Sequence, residues 1–145
     1  MDLQEFLVRQ GYTKIKLHVT KTNHFEIIAK INGKKGRFIV DTGASNSCVG
    51  LDSVDLFNLH AEDSEVLAAG AGATDMKTQL SVKNEVLIGD WKQKEVALIL
   101  FNLTHVNSAL TTHKAKPVQG IIGADLLNKG KAVIDYNKKY LYLKL

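Results

Sequence analysis

Phe38-Ile39-Val40-Asp41-Thr42-Gly43-Ala44-Ser45 runs a strand-like apolar stretch straight into an Asp-Thr-Gly turn, and no second Asp-Thr-Gly occurs in the 145 residues. Aromatic and β-branched residues suit a half-buried pleated strand, whereas aspartate, threonine and glycine suit a turn. A strand that ends in a carboxylate, a hydroxyl and a glycine can hold that carboxylate at the floor of a cleft. Gly43 lets the backbone approach the carboxylate where a side chain would crowd it. Taken alone, the same three residues also fit a β-turn that merely closes a hairpin.

On the N-terminal side, Asn32-Gly33 followed by Lys34-Lys35-Gly36 is a strong turn signal, and residues 25–31 form an apolar run that predicts a strand. Ile15, Leu17 and Val19 alternate with Lys16, His18 and Thr20, which predicts an earlier strand joined to the next by a hairpin turn at Thr20-Lys21-Thr22-Asn23. Leu3, Phe6 and Leu7 before Gly11 predict a short helix over residues 2–10. On the C-terminal side, residues 47–50 read as a short strand. Residues 51–59, with Leu51, Val54, Leu56 and a possible Asp52 cap, read as a short helix. A small-residue, glycine-rich stretch, Ala68-Ala69-Gly70-Ala71-Gly72-Ala73-Thr74, separates residues 65–67 from 76–82. Residues 84–88, the Gly89-Asp90 turn and the apolar run 96–103 follow, then a polar stretch at 104–117. Gly120-Ile121-Ile122-Gly123-Ala124-Asp125-Leu126-Leu127 precedes residues 132–136, a turn at Asn137-Lys138-Lys139, and residues 140–145, in which Leu141, Leu143 and Leu145 share one face. Many short strands with two short helices and no internal repeat predict an all-β barrel or sandwich.

Composition narrows the function classes. Hydrophobic residues at 45% and charged residues at 23%, with one proline and no low-complexity stretch, fit one globular domain and argue against a disordered chain. No run of 18 apolar residues offers a transmembrane helix, so no membrane partner is expected. The net charge of +4 comes mostly from lysines scattered over turns, and the four tyrosines, five phenylalanines and Trp91 are dispersed. That pattern fits a solvated surface better than a nucleic-acid face, and no nucleic-acid partner is expected. Met1-Asp2-Leu3-Gln4-Glu5 carries acids where a signal peptide has lysines, so a cytoplasmic location is expected if Met1 is the native start. The lone cysteine, Cys48, forms no intrachain disulfide and reads as a buried small hydrophobe, with a nucleophilic role open to a spatial partner. The five histidines (18, 24, 60, 105 and 113) have no metal-ligand spacing, so no metal is expected.

Three features in this order resemble the retropepsin-like aspartic proteases, the single-domain, non-viral members above all. They are Asp41 to Ser45 behind the apolar strand, the glycine-rich stretch where the family has its flap hairpin, and Ile121-Ile122-Gly123-Ala124-Asp125-Leu126-Leu127, which begins 80 residues after Asp41. The resemblance covers residues 24–145 and leaves 1–23 as a helix and hairpin extension that braces a dimer or covers a cleft. It implies an acid-protease barrel closed as a homodimer, with Asp41 from each subunit forming the catalytic dyad. Thr42 would hydrogen-bond across the dimer axis, with Gly43, Ala44 and Ser45 completing the loop. Ile121, Ile122 and Gly123 would pack behind the site and Asp125 would buttress it. Ala69, Gly70, Ala71, Gly72 and Ala73 would form the flap over an extended polypeptide substrate, with no cofactor.

Several motifs keep a second reading. The glycine-rich stretch lacks the third glycine of G-x-G-x-x-G and a lysine-serine ending, which argues against a phosphate loop but leaves a plain hairpin open. Asp135 suits turn geometry. Residues 140–145 fit either a dimer-forming edge strand or a strand buried within its own subunit. The whole-chain alternative is a catalytically silent module of the same fold that dimerises or binds peptides.

Overall fold

Turn chemistry punctuates the chain as its sequence dictates. A computed structural model describes residues 1–70 and 73–145, with side chains for residues 1–63 and 77–145. The elements in chain order are α1 (Leu3–Arg9), β1 (Tyr12–Lys16), β2 (His18–Val19), β3 (Phe25–Ile31), β4 (Lys34–Val40), β5 (Cys48–Gly50), a 3-10 turn (Leu51–Ser53), β6 (Glu62–Gly70), β7 (Ala73–Ile88), β8 (Trp91–Phe101), α2 (Thr104–Thr112), β9 (Gly120–Ile122), α3 (Ala124–Lys129), β10 (Val133–Asp135) and β11 (Tyr140–Lys144). Asp2 caps α1 by accepting from Glu5 N at 2.8 Å. Asn32 and Gly33 both take positive φ (51° and 84°), the two-residue turn that suits the right-handed twist of β3 and β4.

Six strands in the order β3-β4-β9-β5-β8-β7 close into a barrel, because β7 pairs back onto β3 at Lys30↔Leu87 and Ile31↔Val86. β2 extends the sheet beside β3, and β6 pairs with β7 as a hairpin. A second sheet, β1-β11-β10, packs Ile15, Leu141 and Leu143 into the same core as Ile27, Phe38, Val49, Leu98 and Ile122. The protein is thus mostly β with a closed barrel and short helices, as the strand spacing predicts. No helix among the described residues is long and apolar enough to cross a membrane.

The structure corrects three local expectations and decides between two readings of a fourth segment. The alternating stretch 15–20 is not one strand: Leu17, buried, turns the chain between sheets, so β1 pairs with β11 while β2 pairs with β3. Residues 51–59 form only the 3-10 turn followed by hydrogen-bonded turns, with Gly50 rather than Asp52 at the N-cap position and Asn58 at a φ of 53°. Phe57 and Leu59 are buried there, so core packing rather than helix periodicity sets that segment. Residues 104–112 form α2, a third α-helix. β11 is the middle strand of its sheet, paired on both sides, and so is buried within its own subunit. Asp135 Oδ1 accepts from Asn137 N and Lys138 N, which is the turn role read for it.

Candidate active site

The run Phe38-Ile39-Val40 is apolar at every position because both of its faces are covered. Phe38, Val40 and Ile122 enter the main core, while Ile39, Ile121 and Cys48 enter a second cluster with Leu103 and Leu110. β4 and β9 lie parallel, with Ile39 opposite Ile121 and Val40 opposite Ile122, and a strand buried on both faces reads as a continuous hydrophobic run. The ladder continues one residue further: Asp41 N donates to Ile122 O at 2.9 Å. Asp41 is therefore delivered to the surface from a doubly buried strand. Asp41, Thr42 and Gly43 are exposed.

The turn closes on itself. Gly43 N donates to Asp41 Oδ1 at 2.9 Å, and a Cβ on Gly43 would stand 3.3 Å from that oxygen. Ala44 N donates to Asp41 O at 3.2 Å, and Ala44 O accepts from Ala124 N at 2.7 Å. Ser45 is exposed on the same loop. Gly123 packs so tightly behind it that a Cβ would meet Ala44 O at 2.7 Å and Asn46 O at 3.0 Å.

Asp125 fastens this loop to α3. Its Oδ1 accepts from Ser47 N at 2.9 Å, Ser47 Oγ at 2.7 Å and Leu126 N at 2.8 Å, while Ser47 Oγ accepts from Gly123 N at 2.8 Å. Hydrogen bonds to a charged acceptor each contribute about 1.5–3 kcal/mol, so this carboxylate stiffens the loop more than any neutral residue would. The structure therefore brings Asp41 to Ser45 together with Ile121, Ile122, Gly123 and Asp125. Of the flap positions, Gly70 pairs with Ala73 at the end of the β6–β7 ladder, Ala69 lies in β6, and Ala71 and Gly72 fall outside the described residues.

Consecutive loop residues face two different hollows. Asp41 opens on a cavity of about 240 Å³ whose apolar wall is Ile39, Ile121, Val106, Ala109 and Leu110, with Thr22, His24 and His105 completing it. Thr42 opens on a notch of about 440 Å³ between α3 and β10, which also includes Leu127, Ala132 and Ile134. The sequence did not point to α2 or to the Thr22–His24 turn as part of the site. The readable signal was Leu103, Val106 and Leu110 at helical spacing, with Asn102 Oδ1 accepting from Thr104 N at 2.8 Å ahead of them.

Cys48 lies beside the loop but is not poised to react. Burial pushes its thiol up to about 12, a hydrogen bond with the Ile121 backbone works against the rise, and the charges of Asp125 and Asp41 add to it. The thiolate is the reactive form, so at pH 8 the folded protein is expected to resist iodoacetamide while the unfolded chain alkylates readily. Mass spectrometry of the two samples checks this; equal labelling would mean that the thiol is open in the folded protein.

The family model described as aspartyl protease matches residues 27–126. No curated protein sequence matches the chain significantly. Among solved structures, a retropepsin-like aspartic protease from Rickettsia conorii is similar with a TM-score of 0.60 at 23% identity, covering 92% of this chain and 89% of its own. The protease of EIAV in complex with the inhibitor HBY-793 is similar with a TM-score of 0.57 at 16% identity, over 77% of this chain and 92% of its own. The retroviral protease-like domain of Ddi1 from Leishmania major gives 0.57 at 16% identity, over 87% and 90%. At these identities the structural likenesses establish the fold, and that fold is retropepsin-like.

Proposed function

Because the chain belongs to the aspartyl protease family, with a retropepsin-like fold, we propose that it is an aspartic endopeptidase whose site is completed by a second copy of itself. The observation that carries this reading is Asp41 itself: a carboxylate on a braced, exposed loop, the one acid among the described residues that line its cavity. Two-carboxylate hydrolysis needs a partner acid within about 3 Å, and a two-fold axis beside the loop supplies it from an identical chain. Thr42, turned to the other side of the loop, then meets its symmetry mate. In the dyad one proton is shared. The ionised carboxylate takes a proton from the attacking water, and the protonated one donates to the scissile carbonyl oxygen. The tetrahedral intermediate collapses without an adduct to the protein. The β6–β7 hairpin covers an extended peptide bound as a strand. Residues 1–23 brace the protease domain, a role supported by the pairing of β1 with β11.

A site shared between two chains ties activity to association. Activity per subunit is expected to fall as the protein is diluted through its dimer dissociation range, and sedimentation over the same concentrations should follow the loss. Constant specific activity where the chain sediments as a monomer would overturn the shared site. Cleavage of a peptide library should be best at acidic to mildly acidic pH, where the dyad holds a single proton, and should be blocked by pepstatin. A rate that climbs steadily through alkaline pH would contradict the mechanism.

A further inference from the structure

The cavity against Asp41 has an apolar wall but carries two imidazoles, and they come from different elements. His105 comes from the first turn of α2 and His24 from the end of the β2–β3 turn. His24 is held in place. Its backbone N donates to Thr20 Oγ1 at 3.0 Å, Thr20 Oγ1 lies 2.8 Å from Thr22 Oγ1, and Thr22 Oγ1 lies 2.8 Å from His24 Nδ1. Thr20 N also donates to His24 O at 2.8 Å, closing the turn. Run in one direction, the chain passes from His24 N–H to Thr20, from the Thr20 hydroxyl to Thr22, and from the Thr22 hydroxyl to Nδ1. In either direction the chain engages Nδ1 and leaves Nε2 as the ring nitrogen this turn does not use.

On the peptidase reading, we infer that this cavity receives the substrate side chain adjoining the scissile bond, and that His24 and His105 select one ending in a carbonyl or carboxylate oxygen, glutamine or glutamate. The methylene stem of such a residue lies along Ile39, Val106, Leu110 and Ile121, where a wholly polar side chain would gain nothing. Its terminal oxygen accepts from the imidazole N–H groups, which a methionine or leucine of similar length cannot do. Thr22 acts through His24, as a positioning residue.

The test uses the wild-type protein and peptides that differ only at the residue beside the cleaved bond: glutamine, glutamate, methionine or leucine. The glutamine-to-methionine ratio of kcat/KM is expected to be about tenfold, the worth of one good hydrogen bond. It should fall to about one in the His24→Ala, His105→Ala double variant and hold in His113→Ala, an exposed histidine outside the cavity. The same four residues placed in uncleavable reduced-amide peptides give a second readout, the ratio of Kd values. A wild-type ratio near one in binding, or a preference that survives the double variant, would overturn the inference. Absence of cleavage with the binding preference intact would overturn the peptidase reading and support the selectivity.

Discussion

Asp41→Asn is expected to lower kcat/KM about 10³-fold or more while leaving the folded dimer intact. The substitution is nearly isosteric, and its amide oxygen can still accept from Gly43 N, the bond that closes the turn. The backbone anchor from Asp41 N to Ile122 O is unaffected, because it involves no side chain. Asp41 is exposed in the single chain, and exposed substitutions of this kind usually change stability by less than about 0.5 kcal/mol. An asparagine, however, can neither take a proton from water nor give one to the departing amine, and with both subunits changed the dyad loses its acid and its base together. The loss should fall on kcat more than on KM, because peptide binding uses the walls and the flap. Thermal unfolding, sedimentation and peptide cleavage on the same preparation separate these effects. Residual activity within tenfold of wild type, with the dimer retained, would place the chemistry elsewhere.

The second large effect is on stability. Gly120→Ala should destabilise the fold by about 3 kcal/mol, equivalent to a fall in Tm of about 10 °C for a domain of this size. The added Cβ would stand 2.2 Å from the carbonyl oxygen of Cys48 and 2.9 Å from the Phe38 ring. The first of these is backbone and cannot rotate away. Relief requires β9 to move from β5, with which it pairs at Val49↔Gly120, or from β4, with which it pairs at Phe38↔Gly120. Either shift disturbs the ladder that carries Asp41, so activity should fall at temperatures where the variant is still folded. Gly11→Ala serves as the comparison. Gly11 has a φ of 88° and nothing within 4 Å of an added Cβ, so only the backbone conformation resists, at about 1 kcal/mol. Equal Tm values for the two variants would mean that β5 and β9 yield more easily than their spacing implies.

The parts of the fold that could be read from the sequence are those where local chemistry and tertiary demand agree. Asn32-Gly33 specifies a turn whatever surrounds it, and Phe38 to Val40 is apolar at each position because it is buried on both faces. Gly120 and Gly123 are needed where backbones touch, and a glycine pair around two isoleucines is visible without coordinates. The parts that escaped reading depend on distant partners. Residues 15–19 alternate correctly for a strand, but nothing local shows that β1 belongs with β11 and β2 with β3. α2 is a poor helix by propensity, Thr-His-Val-Asn-Ser-Ala-Leu-Thr-Thr, with its one buried side chain at Leu110. It is held from outside: Asn107 Nδ2 donates to Val118 O at 3.1 Å, and Asn107 Oδ1 accepts from Val118 N at 2.7 Å. For the same reason the wall of the Asp41 cavity was not legible, since its residues come from the 20–24 turn, β4, α2 and β9 and meet only in three dimensions.

The pairing of β1 with β11 also governs how the molecule comes into being. Residues 12–16 find their partners at 140–144, and β4 finds β9 some 80 residues further along the chain (Val40↔Ile122). Neither ladder can be scored as gain until most of the polypeptide is present and a long loop has been closed. The Asp-Thr-Gly loop hangs from the second of these ladders. Folding should therefore be slow and cooperative, and partially emerged chains should carry β4 paired with β3 on one side only, its other edge at the apolar Phe38–Val40 end open to wrong pairing until residues 120–122 arrive.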